Sequence, residues 1–470
     1  MKRYEQVTQN LRAQIESYQL RPGEPLPSLR SLSEQLAVSK NTIIHAYQQL
    51  EAEGLIEPRS RQGFFVSHGQ PLPEVSASPR PVQLGALALN IIRAASRSDL
   101  HPLGSADPDT RFPAHAQLYK TLAKNARHRA HQQSKISHYR PPPGSDLLRS
   151  RLAHHISESA FGCKPQEIII SNGTQEGISL SLRAIASPGD IIAVESPSFY
   201  GTLQCIEALG LKVVEIPTIP GEGINLCSLA RVLKEWPIKA LLLNPNVNNP
   251  LGFQMQLSQQ EKLMEITEPY QLPIIEDDVF GELNYQSQRH PPLKALDTSG
   301  RVVLCSSFSK SLDTDIRIGW VVPGKFYEEI NYLKYVTTLA SSGLTQDASA
   351  EFMAERRFAR HLRRLKRTYR QRWDLIAEDM CRHMPGEVSF SHPEGGYLSW
   401  LELPAGCDGD RIYQQALSEG IAITPGSLFS TQGEYRHCIR LNFSVYDGNP
   451  DLRRALIRVS ELIRHDIGRL

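Results

Sequence analysis

The chain is 470 residues long and 40% hydrophobic, so it can bury a large core and exceeds one ordinary domain. Its formal charge of +2 excludes a uniformly basic composition, so any nucleic-acid site must be a local patch. Seven scattered cysteines without a Cys-x-x-Cys pair argue against a metal site or a disulfide framework and predict a cytoplasmic protein. The sequence has neither a signal-peptide pattern nor an apolar run of the roughly 18 residues that a membrane span needs.

Residues 1–67 have the pattern of three helices followed by a β-hairpin. Apolar spacing predicts helices over residues 4–18, 29–36 and 40–53 and strands over residues 55–56 and 64–66. Ser28 and Ser39 stand where side chains cap helices, and Gly54 stands where a helix ends. This order is typical of a winged helix-turn-helix domain, whose third helix enters the major groove of DNA.

The candidate DNA contacts lie on the second helix, the third helix and the hairpin. Short polar and basic side chains at the start of the third helix suit phosphates and base edges. The predicted DNA-binding residues are Arg30, Ser39, Lys40, Asn41, Thr42, Arg59 and Arg61. A small helical interaction module with solvated arginines would have the same local pattern.

Four segments of this region closely resemble the GntR family of DNA-binding domains. They are residues 21–30 (RPGEPLPSLR), 38–42 (VSKNT), 53–56 (EGLI) and 63–66 (GFFV). The resemblance covers nearly all of residues 1–67 and implies double-stranded DNA as a partner. Residues 68–83 are rich in Pro, Ser and Gly without apolar periodicity, and we predict that they form a linker.

Residues 84–470 form the second predicted domain, in which strand-like and helix-like segments alternate. Buried strands are predicted over residues 168–170, 191–194, 213–216, 240–243, 273–275 and 302–304. Short apolar strands separated by helices are typical of an α/β domain with a mainly parallel sheet. After a long basic helix over residues 362–380, the remaining segments predict a C-terminal α+β subdomain.

Residues 306–312 (SSFSKSL) surround Lys310 with hydroxyl groups directly after a predicted strand, and Arg317 follows seven residues later. A lysine that is desolvated or close to other cations has a lowered pKa, so its amine can form a Schiff base. Serines and an arginine suit a phosphate. Together they point to a phosphorylated aldehyde such as pyridoxal phosphate. A solvated lysine in a serine-rich loop would have the same local sequence.

Three further loops follow predicted strands, where open α/β sheets hold their ligands. Residues 171–177 (SNGTQEG) open a helix and offer backbone N–H groups and hydroxyls to an anion. Asn249 and Asp277 follow two other strands, and a buried carboxylate such as Asp277 can pair with a protonated pyridine nitrogen. Taken singly, these loops are equally typical of ordinary turns or helix caps.

In order and spacing, these segments resemble the fold-type I pyridoxal-phosphate enzymes of the aspartate aminotransferase superfamily, from about residue 98 onward. With the GntR-like domain, the whole chain resembles the MocR subfamily of regulators. That resemblance implies a multidomain fold, with a winged helix-turn-helix joined to a fold-type I α/β domain that ends in an α+β subdomain. It implies a cofactor site made of Tyr139, Gly173, Thr174, Gln175, Phe199, Asn249, Asp277, Ser307, Ser309, Lys310 and Arg317.

The same resemblance implies a role for each residue of the site. Lys310 would form the Schiff base, Asp277 would pair with the pyridine nitrogen, and Asn249 would bond the ring hydroxyl. Phe199 would stack on the ring, and Tyr139 would reach the phosphate of a neighbouring subunit, which implies a homodimer. The residues around the phosphate would be Gly173, Thr174, Gln175, Ser307, Ser309 and Arg317. The last implied role, binding of an amino acid's carboxylate, falls to Arg440.

Departures from the family pattern bear on activity. Phe280 stands where related aminotransferases usually have Tyr, so a hydrogen-bond donor to the cofactor's ring oxygen is missing. Phe199 also stands where Tyr is common. Losing the donor is expected to raise the pKa of the Schiff base and to weaken transamination. Asp313 and Asp315 follow Lys310 and could weaken cofactor binding unless both carboxylates face solvent.

The sequence therefore predicts a cytoplasmic transcription regulator that senses pyridoxal phosphate, or an amine or amino-acid effector, through a Schiff base at Lys310. Its predicted partners are double-stranded DNA, the effector and a second copy of the chain, without a membrane. An active aminotransferase that carries a DNA-binding domain is the alternative. A third interpretation is a DNA-binding protein whose large domain only dimerises and no longer binds a cofactor.

Overall fold

The computed structural model describes residues 7–9, 11–12, 20, 25–36, 38–52, 55–59, 63–66, 78–83, 89–91, 93–94, 97, 99–131, 138–219, 221–286 and 288–470. The chain divides into two compact units. The small unit is Met1–Ser76 with Ile219–Gly221, and the large unit is Ala77–Thr218 with Glu222–Leu470.

The small unit contains helices followed by an antiparallel hairpin. Its helices are α1 (Leu29–Gln35) and α2 (Lys40–Ala52), and its strands are β1 (Ile56–Arg59) and β2 (Gly63–Val66). Residues 7–9 and 11–12 are also helical. Ser28 begins α1 by accepting a hydrogen bond from the Ser31 N–H at 3.1 Å, as a helix cap should.

One face of α2 fills the centre of this unit. Ile43, Tyr47 and Leu50 recur at helical spacing, and all three are buried. The Tyr47 hydroxyl donates to the Pro27 carbonyl at 2.7 Å, and burial raises the pKa of this phenol to about 12. Leu36 follows the last turn of α1 as its cap residue, so it is 40% exposed.

The large unit has more strands, and most of them join one sheet. The strands are β3 (Arg80–Pro81), β4 (His101–Pro102), β5 (Ile169–Ser171), β6 (Ile191–Ser196), β7 (Lys212–Ile219), β8 (Gly223–Ile224), β9 (Ile238–Leu243), β10 (Ile274–Asp277), β11 (Val302–Ser307), β12 (Gly319–Val322), β13 (Ser389–Phe390), β14 (Leu398–Glu402), β15 (Ile421–Ala422), β16 (Thr424–Pro425) and β17 (Cys438–Asn442).

The α-helices of the large unit connect and cover these strands. They are α3 (Pro113–His131), α4 (Asp146–Ser159), α5 (Thr174–Ile185), α6 (Tyr200–Ala208), α7 (Leu226–Glu235), α8 (Leu257–Thr267), α9 (Tyr327–Thr338), α10 (Gly343–Met353), α11 (Arg357–His383), α12 (Gly409–Ser418) and α13 (Pro450–Ile467). None of the helices that the structure describes is long and apolar enough to cross a membrane.

The main sheet is mixed, with a parallel centre. Its strands lie in the order β3-β7-β6-β9-β10-β11-β12-β5, with β8 paired to β7. The run from β7 to β11 is parallel, whereas β12 is antiparallel to both of its neighbours. The central strands are buried on both faces, which explains their nearly continuous apolar sequences. Because parallel strands end at the same edge, the loops after β6, β9, β10 and β11 come together there.

The C-terminal part is an α+β subdomain, as the sequence predicts. Strands β13, β14, β17 and β16 form an antiparallel sheet in that order. The long helix α11 buries residues such as Leu362, Tyr369 and Ile376 in the large core that also includes this sheet. This arrangement brings β17, which carries Arg440, into the same core as the residues around Phe280 and Phe308.

The end of the predicted linker differs in the structure. The sequence assigns Arg80 and Pro81 to the linker, but they form β3 and pair with Val213 and Lys212 at the edge of the main sheet. An edge position suits Pro81, because proline has no N–H to donate to a central ladder. The other linker residues from 68 to 77 lie outside the described residues.

Candidate functional site

Lys310 lies just beyond the end of β11, at the edge where the parallel strands end. Its side chain is half-buried, and its amine donates a hydrogen bond to the Ala106 carbonyl oxygen at 2.7 Å. Desolvation lowers the pKa of this amine, with Arg440 and Arg317 acting in the same direction against Asp107 and Asp277. The geometry therefore gives Lys310 the property that a nucleophilic amine needs.

Asp277 ends the neighbouring strand β10. Burial raises the pKa of its carboxyl to about 7, and the nearby Asp278 adds to this rise. The Val279 N–H donates to its Oδ1 at 3.1 Å, and the charge of Lys310 acts in the opposite direction. A buried carboxyl with a raised pKa interacts strongly with a cation placed beside it, because the cation stabilises its charged form.

Arg440 on β17 is a fully buried cation, with a side chain that is 0% exposed. Its Nη1 donates to Asn249 Oδ1 at 3.0 Å, and its Nη2 donates to the Gly104 carbonyl at 2.8 Å. Its Nε has no hydrogen-bond partner within the described part of the chain. Burial lowers the pKa of this guanidinium, and none of the hydrogen bonds described for it ends on a carboxylate. A buried charge with a free donor is a place for an anion.

A loop at the start of α5 packs against the loop that carries Lys310. The Thr174 hydroxyl donates to Ser307 Oγ at 2.9 Å, and Arg317 donates from Nη2 to the Asn172 carbonyl at 2.8 Å. Gly173 has a φ of +87°, and a Cβ there would lie 2.5 Å from Arg317 Nη2. Glycine is therefore required, because only a bare backbone lets this arginine lie against the helix start.

Ser309 and Gln175 complete the predicted phosphate set in different ways. The Ser309 N–H donates to Ser307 Oγ at 3.3 Å, so this serine lies with the hydroxyl cluster. Gln175 instead donates from Nε2 to the Gly201 carbonyl at 2.6 Å. Gly201 lies directly against the Phe199 ring, since a Cβ on Gly201 would lie 2.5 Å from it. Through its bond to Gly201, Gln175 therefore holds the loop that carries Phe199.

Phe280 is buried against an aromatic residue that the sequence analysis did not single out. Its ring centroid lies 5.4 Å from that of Tyr397 in an edge-on contact. The Tyr397 hydroxyl donates to the Ala106 carbonyl at 3.0 Å, the same oxygen that accepts from Lys310. A phenol thus reaches the site from the start of β14 rather than from position 280. The sequence has no local signal for it, since Tyr397 and Ala106 are 291 residues apart.

Asn244, after β9, is a second residue that the sequence analysis missed. Its Nδ2 donates to the Asp277 carbonyl at 2.5 Å, and its Oδ1 accepts from the Asn249 N–H at 3.1 Å. Its own N–H donates to Glu195 Oε1 at 2.7 Å. One side chain therefore fixes the positions of two predicted cofactor-binding residues.

The two carboxylates after Lys310 point to different surroundings. Asp313 is buried, forms an ion pair with His115, and accepts from the N–H groups of Asp315 at 2.6 Å and Ile316 at 3.1 Å. Asp315 is exposed. Asp313 therefore acts as a local turn-stabilising residue whose side chain also contacts His115.

Tyr139 is the predicted cofactor residue that the structure leaves in solvent. Its side chain is 75% exposed. The adjacent Arg140 pairs with Asp347 at the start of α10, which holds this segment on the surface of the large unit. Its predicted role, reaching the phosphate of a neighbouring subunit, stays a prediction.

The predicted DNA-contacting residues that the structure describes lie near the starts of the helices and in the hairpin of the small unit. Ser39 caps α2 by accepting from the Thr42 N–H at 3.2 Å, and the Ser39 and Thr42 hydroxyls lie 2.8 Å apart. Lys40 is exposed at the same helix end, and Asn41 follows it in the first turn. Arg30 lies in α1 and Arg59 ends β1, whereas Arg61 lies outside the described residues.

Replacement of Asp277 by Asn is expected to change the pH dependence of stability in cofactor-free protein. The ordinary aspartate pKa is about 3.9, and burial raises it here to about 7, so folding favours the protonated carboxyl. Stability from this group is fully present below about pH 4 and is lost as the pH rises through about 7. As the pH rises from about 4 to about 7, the unfolding free energy of the wild type should fall by about 3–4 kcal/mol relative to that of Asp277→Asn.

Denaturant unfolding between pH 4 and pH 8 measures this difference. The exposed Asp315→Asn variant is the control and should follow the wild type at every pH. Parallel stability curves for the wild type and Asp277→Asn would show that Asp277 titrates normally.

Comparison with known proteins fits both units. Residues 102–455 match the family model described as aminotransferase class I and II, and residues 3–66 match the one described as bacterial regulatory proteins, gntR family. The class of protein is therefore a DNA-binding regulator of the GntR type joined to an aminotransferase-type domain.

Individual relatives indicate the subfamily within this class. Over 98% of this chain and 99% of the relative, the sequence is 36% identical to the HTH-type transcriptional regulator YjiR of Escherichia coli strain K12. It is 27% identical to the probable rhizopine catabolism regulatory protein MocR of Rhizobium meliloti, over 90% of this chain and 86% of that one. The chain belongs to the MocR-like subfamily of GntR transcriptional regulators. The predicted family, fold class and regulator function are thereby confirmed.

A solved structure matches the large unit closely. It is LysN, the α-aminoadipate aminotransferase of Thermus thermophilus, in complex with N-(5'-phosphopyridoxyl)-L-leucine. The TM-score is 0.74 at 26% identity, covering 81% of this chain and 96% of that one. The fold of the large unit is thus that of the pyridoxal-phosphate aminotransferases, as the sequence predicts.

Proposed function

We propose that this transcription regulator binds pyridoxal phosphate in its large unit, with Lys310 as the covalent anchor. The observation that carries the proposal is that two unusual groups occur in one site. The Lys310 amine is desolvated and has a lowered pKa, and Arg440 is fully buried without a carboxylate partner among the described residues. When bound, pyridoxal phosphate supplies an aldehyde carbon that reacts reversibly with amines. Apart from the Asp277 carboxyl, the polar groups of the site are amine, guanidinium, amide and hydroxyl groups.

Each part of the cofactor has residues of matching chemistry. Asp277 would hold the pyridine nitrogen, and its pKa near 7 without a partner would fall once a cation is beside it. Asn249 would bond the ring hydroxyl, and Phe199 would cover the ring. The phosphate would lie at the start of α5, among hydroxyls, N–H groups and a guanidinium, within the set Gly173, Thr174, Gln175, Ser307, Ser309 and Arg317.

Arg440 makes an amino acid the favoured effector over a simple amine. Its free Nε can donate to a carboxylate, and burial strengthens the attraction between this guanidinium and an anion. An amino acid that displaces the amine of Lys310 would place its carboxylate toward this guanidinium. Ligand binding would then favour one conformation of the large unit over another and so change DNA binding by the small unit.

Phe280 supports a regulatory rather than a catalytic role. Its buried phenyl ring offers no hydroxyl to the cofactor, and the Tyr397 hydroxyl is already bonded to the Ala106 carbonyl. The site would bind and exchange amines while lacking the donor that tunes the ring for transamination.

The remaining features of the proposal follow from the resemblance to the subfamily. A homodimer would allow Tyr139 to complete the phosphate site of the partner subunit, which agrees with its exposure in a single chain. The domain boundary at residue 67 and the cytoplasmic location belong to the same proposal.

The distinction between sensing and turnover is testable with the purified protein and a panel of amino acids. We expect each effective amino acid to shift the absorbance band of the bound cofactor, with at most one equivalent of keto acid formed per chain. Steady product formation at the ordinary enzyme rates of about 1–1000 per second would instead identify an aminotransferase.

A further inference from the structure

The first half of α11 carries an exceptional density of positive charge. From residue 357 to residue 373 the sequence has eight Lys and Arg residues and no Asp or Glu, although the whole chain has a formal charge of only +2. Neither the cofactor site nor the small unit accounts for this segment.

Most arginines of this half lie on one exposed face. Phe358, Leu362, Leu365 and Tyr369 are buried on the opposite face. Five exposed arginines each lie three or four residues from others of the set, which places them on one side of the helix. We call them the arginine stripe: Arg360, Arg363, Arg364, Arg367 and Arg370. At 1.5 Å per residue the stripe is about 15 Å long.

The arginines of the stripe are unpaired, unlike several exposed arginines elsewhere on the large unit. Within the described part of the chain, none of the five forms an ion pair with a carboxylate. In the second half of the same helix, Arg382 pairs with Glu378 at 2.7 Å. On α13, Arg458 pairs with both Glu419 and Glu461. Those other surfaces carry both positive and negative side chains, whereas the stripe carries only positive ones.

The stripe also opposes the stability of its own helix. Like charges three and four residues apart repel each other along the helix surface. Cations in the first turns act against the positive end of the helix dipole, and the first turn of α11 has no acidic residue. Such an arrangement indicates a surface that meets negative charge on another molecule.

We propose that the arginine stripe binds the phosphate backbone of duplex DNA outside the bases that the small unit contacts. DNA is the polyanion that a GntR-family protein already binds. Guanidinium groups donate to phosphate oxygens as two-pronged forks, which suits a surface made of arginine and not of lysine. A length of about 15 Å corresponds to about four base pairs, and contacts of this type add affinity without base specificity. This inference rests on the family's DNA binding and is independent of the cofactor proposal.

The test uses the full chain and two DNA duplexes. One duplex is limited to the operator, and the other extends it by about two helical turns, roughly 20 base pairs, on each side. The variant is the triple substitution Arg360→Gln, Arg363→Gln and Arg367→Gln. On the extended duplex, the slope of log affinity against log salt should fall by about 3, with a loss of affinity above about tenfold at low salt. On the short duplex, affinity should stay unchanged.

The matched control removes three charges elsewhere on the large unit, at the exposed residues Lys234, Lys239 and Lys262. Their joint replacement by Gln should leave both duplexes bound as in the wild type. Unchanged binding of the extended duplex by the stripe variant would overturn the proposal, and so would an equal loss on both duplexes. Two other outcomes for the stripe variant would also overturn the proposal, provided that its DNA affinity is intact. One is a changed molecular mass in light scattering, and the other is lost binding to phosphatidylserine vesicles. Because the substitutions relieve repulsion, the unfolding midpoint should be unchanged or higher, which checks folding.

Discussion

Replacement of Lys310 by Ala is expected to abolish the Schiff-base absorbance band of the protein near the visible edge. Desolvation lowers the pKa of the Lys310 amine, so it is the group prepared to bond the cofactor's aldehyde at neutral pH. Without it, contacts to the phosphate and the ring remain, but no covalent attachment is left. The Schiff-base band should therefore be lost and borohydride should no longer fix the cofactor to the protein, while the far-ultraviolet circular dichroism should be that of the wild type.

Lys366→Ala is the control for this prediction. Burial also lowers the pKa of Lys366, but that residue lies on α11 and contacts Asn284 instead of Ala106. Its replacement should leave the absorbance band intact. Retention of the band in Lys310→Ala, or borohydride trapping of the cofactor on another lysine, would refute the assignment of the anchor.

Replacement of Arg440 by Gln is expected to weaken the response to amino acids by on the order of 100-fold. Losing one partner of a buried, hydrogen-bonded charge pair typically costs about 2–5 kcal/mol, and each 1.4 kcal/mol is a factor of ten. The guanidinium is 0% exposed and keeps a free Nε, so an entering carboxylate would be its main ionic partner. Titration of the cofactor band with each amino acid measures the effect.

The decarboxylated amine of the same amino acid provides the internal control. It lacks the group that Arg440 would bind, so its apparent affinity should be nearly equal in the wild type and in Arg440→Gln. Arg440→Lys keeps the charge but not the fork and should lose less than Arg440→Gln. An equal loss for the amino acid and for the amine would mean that Arg440 supports the fold of the site and does not select the effector.

The sequence predicts those parts of the site that are local in the chain. Lys310 and its serines follow one apolar strand, and Asp277 follows another, so strand order alone places both at the same sheet edge. The small unit is predictable for the same reason, because its capping serine and the buried face of α2 lie within a few turns of each other.

Contacts between distant segments could not be predicted in this way. Tyr397 matters only because folding places its hydroxyl on the carbonyl of Ala106, far away in the sequence. Asn244 matters because it bonds to two other loops at once. The same limit applies to Asp313, since its partner His115 comes from a distant helix and decides that the carboxylate stabilises a turn. In each case tertiary packing, and no local pattern, determines the role.

The central claim is that chemistry at Lys310 controls DNA binding. The most direct measurement is the affinity of the cofactor-loaded protein for its operator, titrated with amino acids, for the wild type and for Lys310→Ala. We predict that an effective amino acid changes the operator affinity of the wild type at least tenfold, equivalent to about 1.4 kcal/mol of coupling, and leaves Lys310→Ala unchanged. An operator affinity that is the same with and without amino acid in the wild type, or an equal response in Lys310→Ala, would contradict the claim.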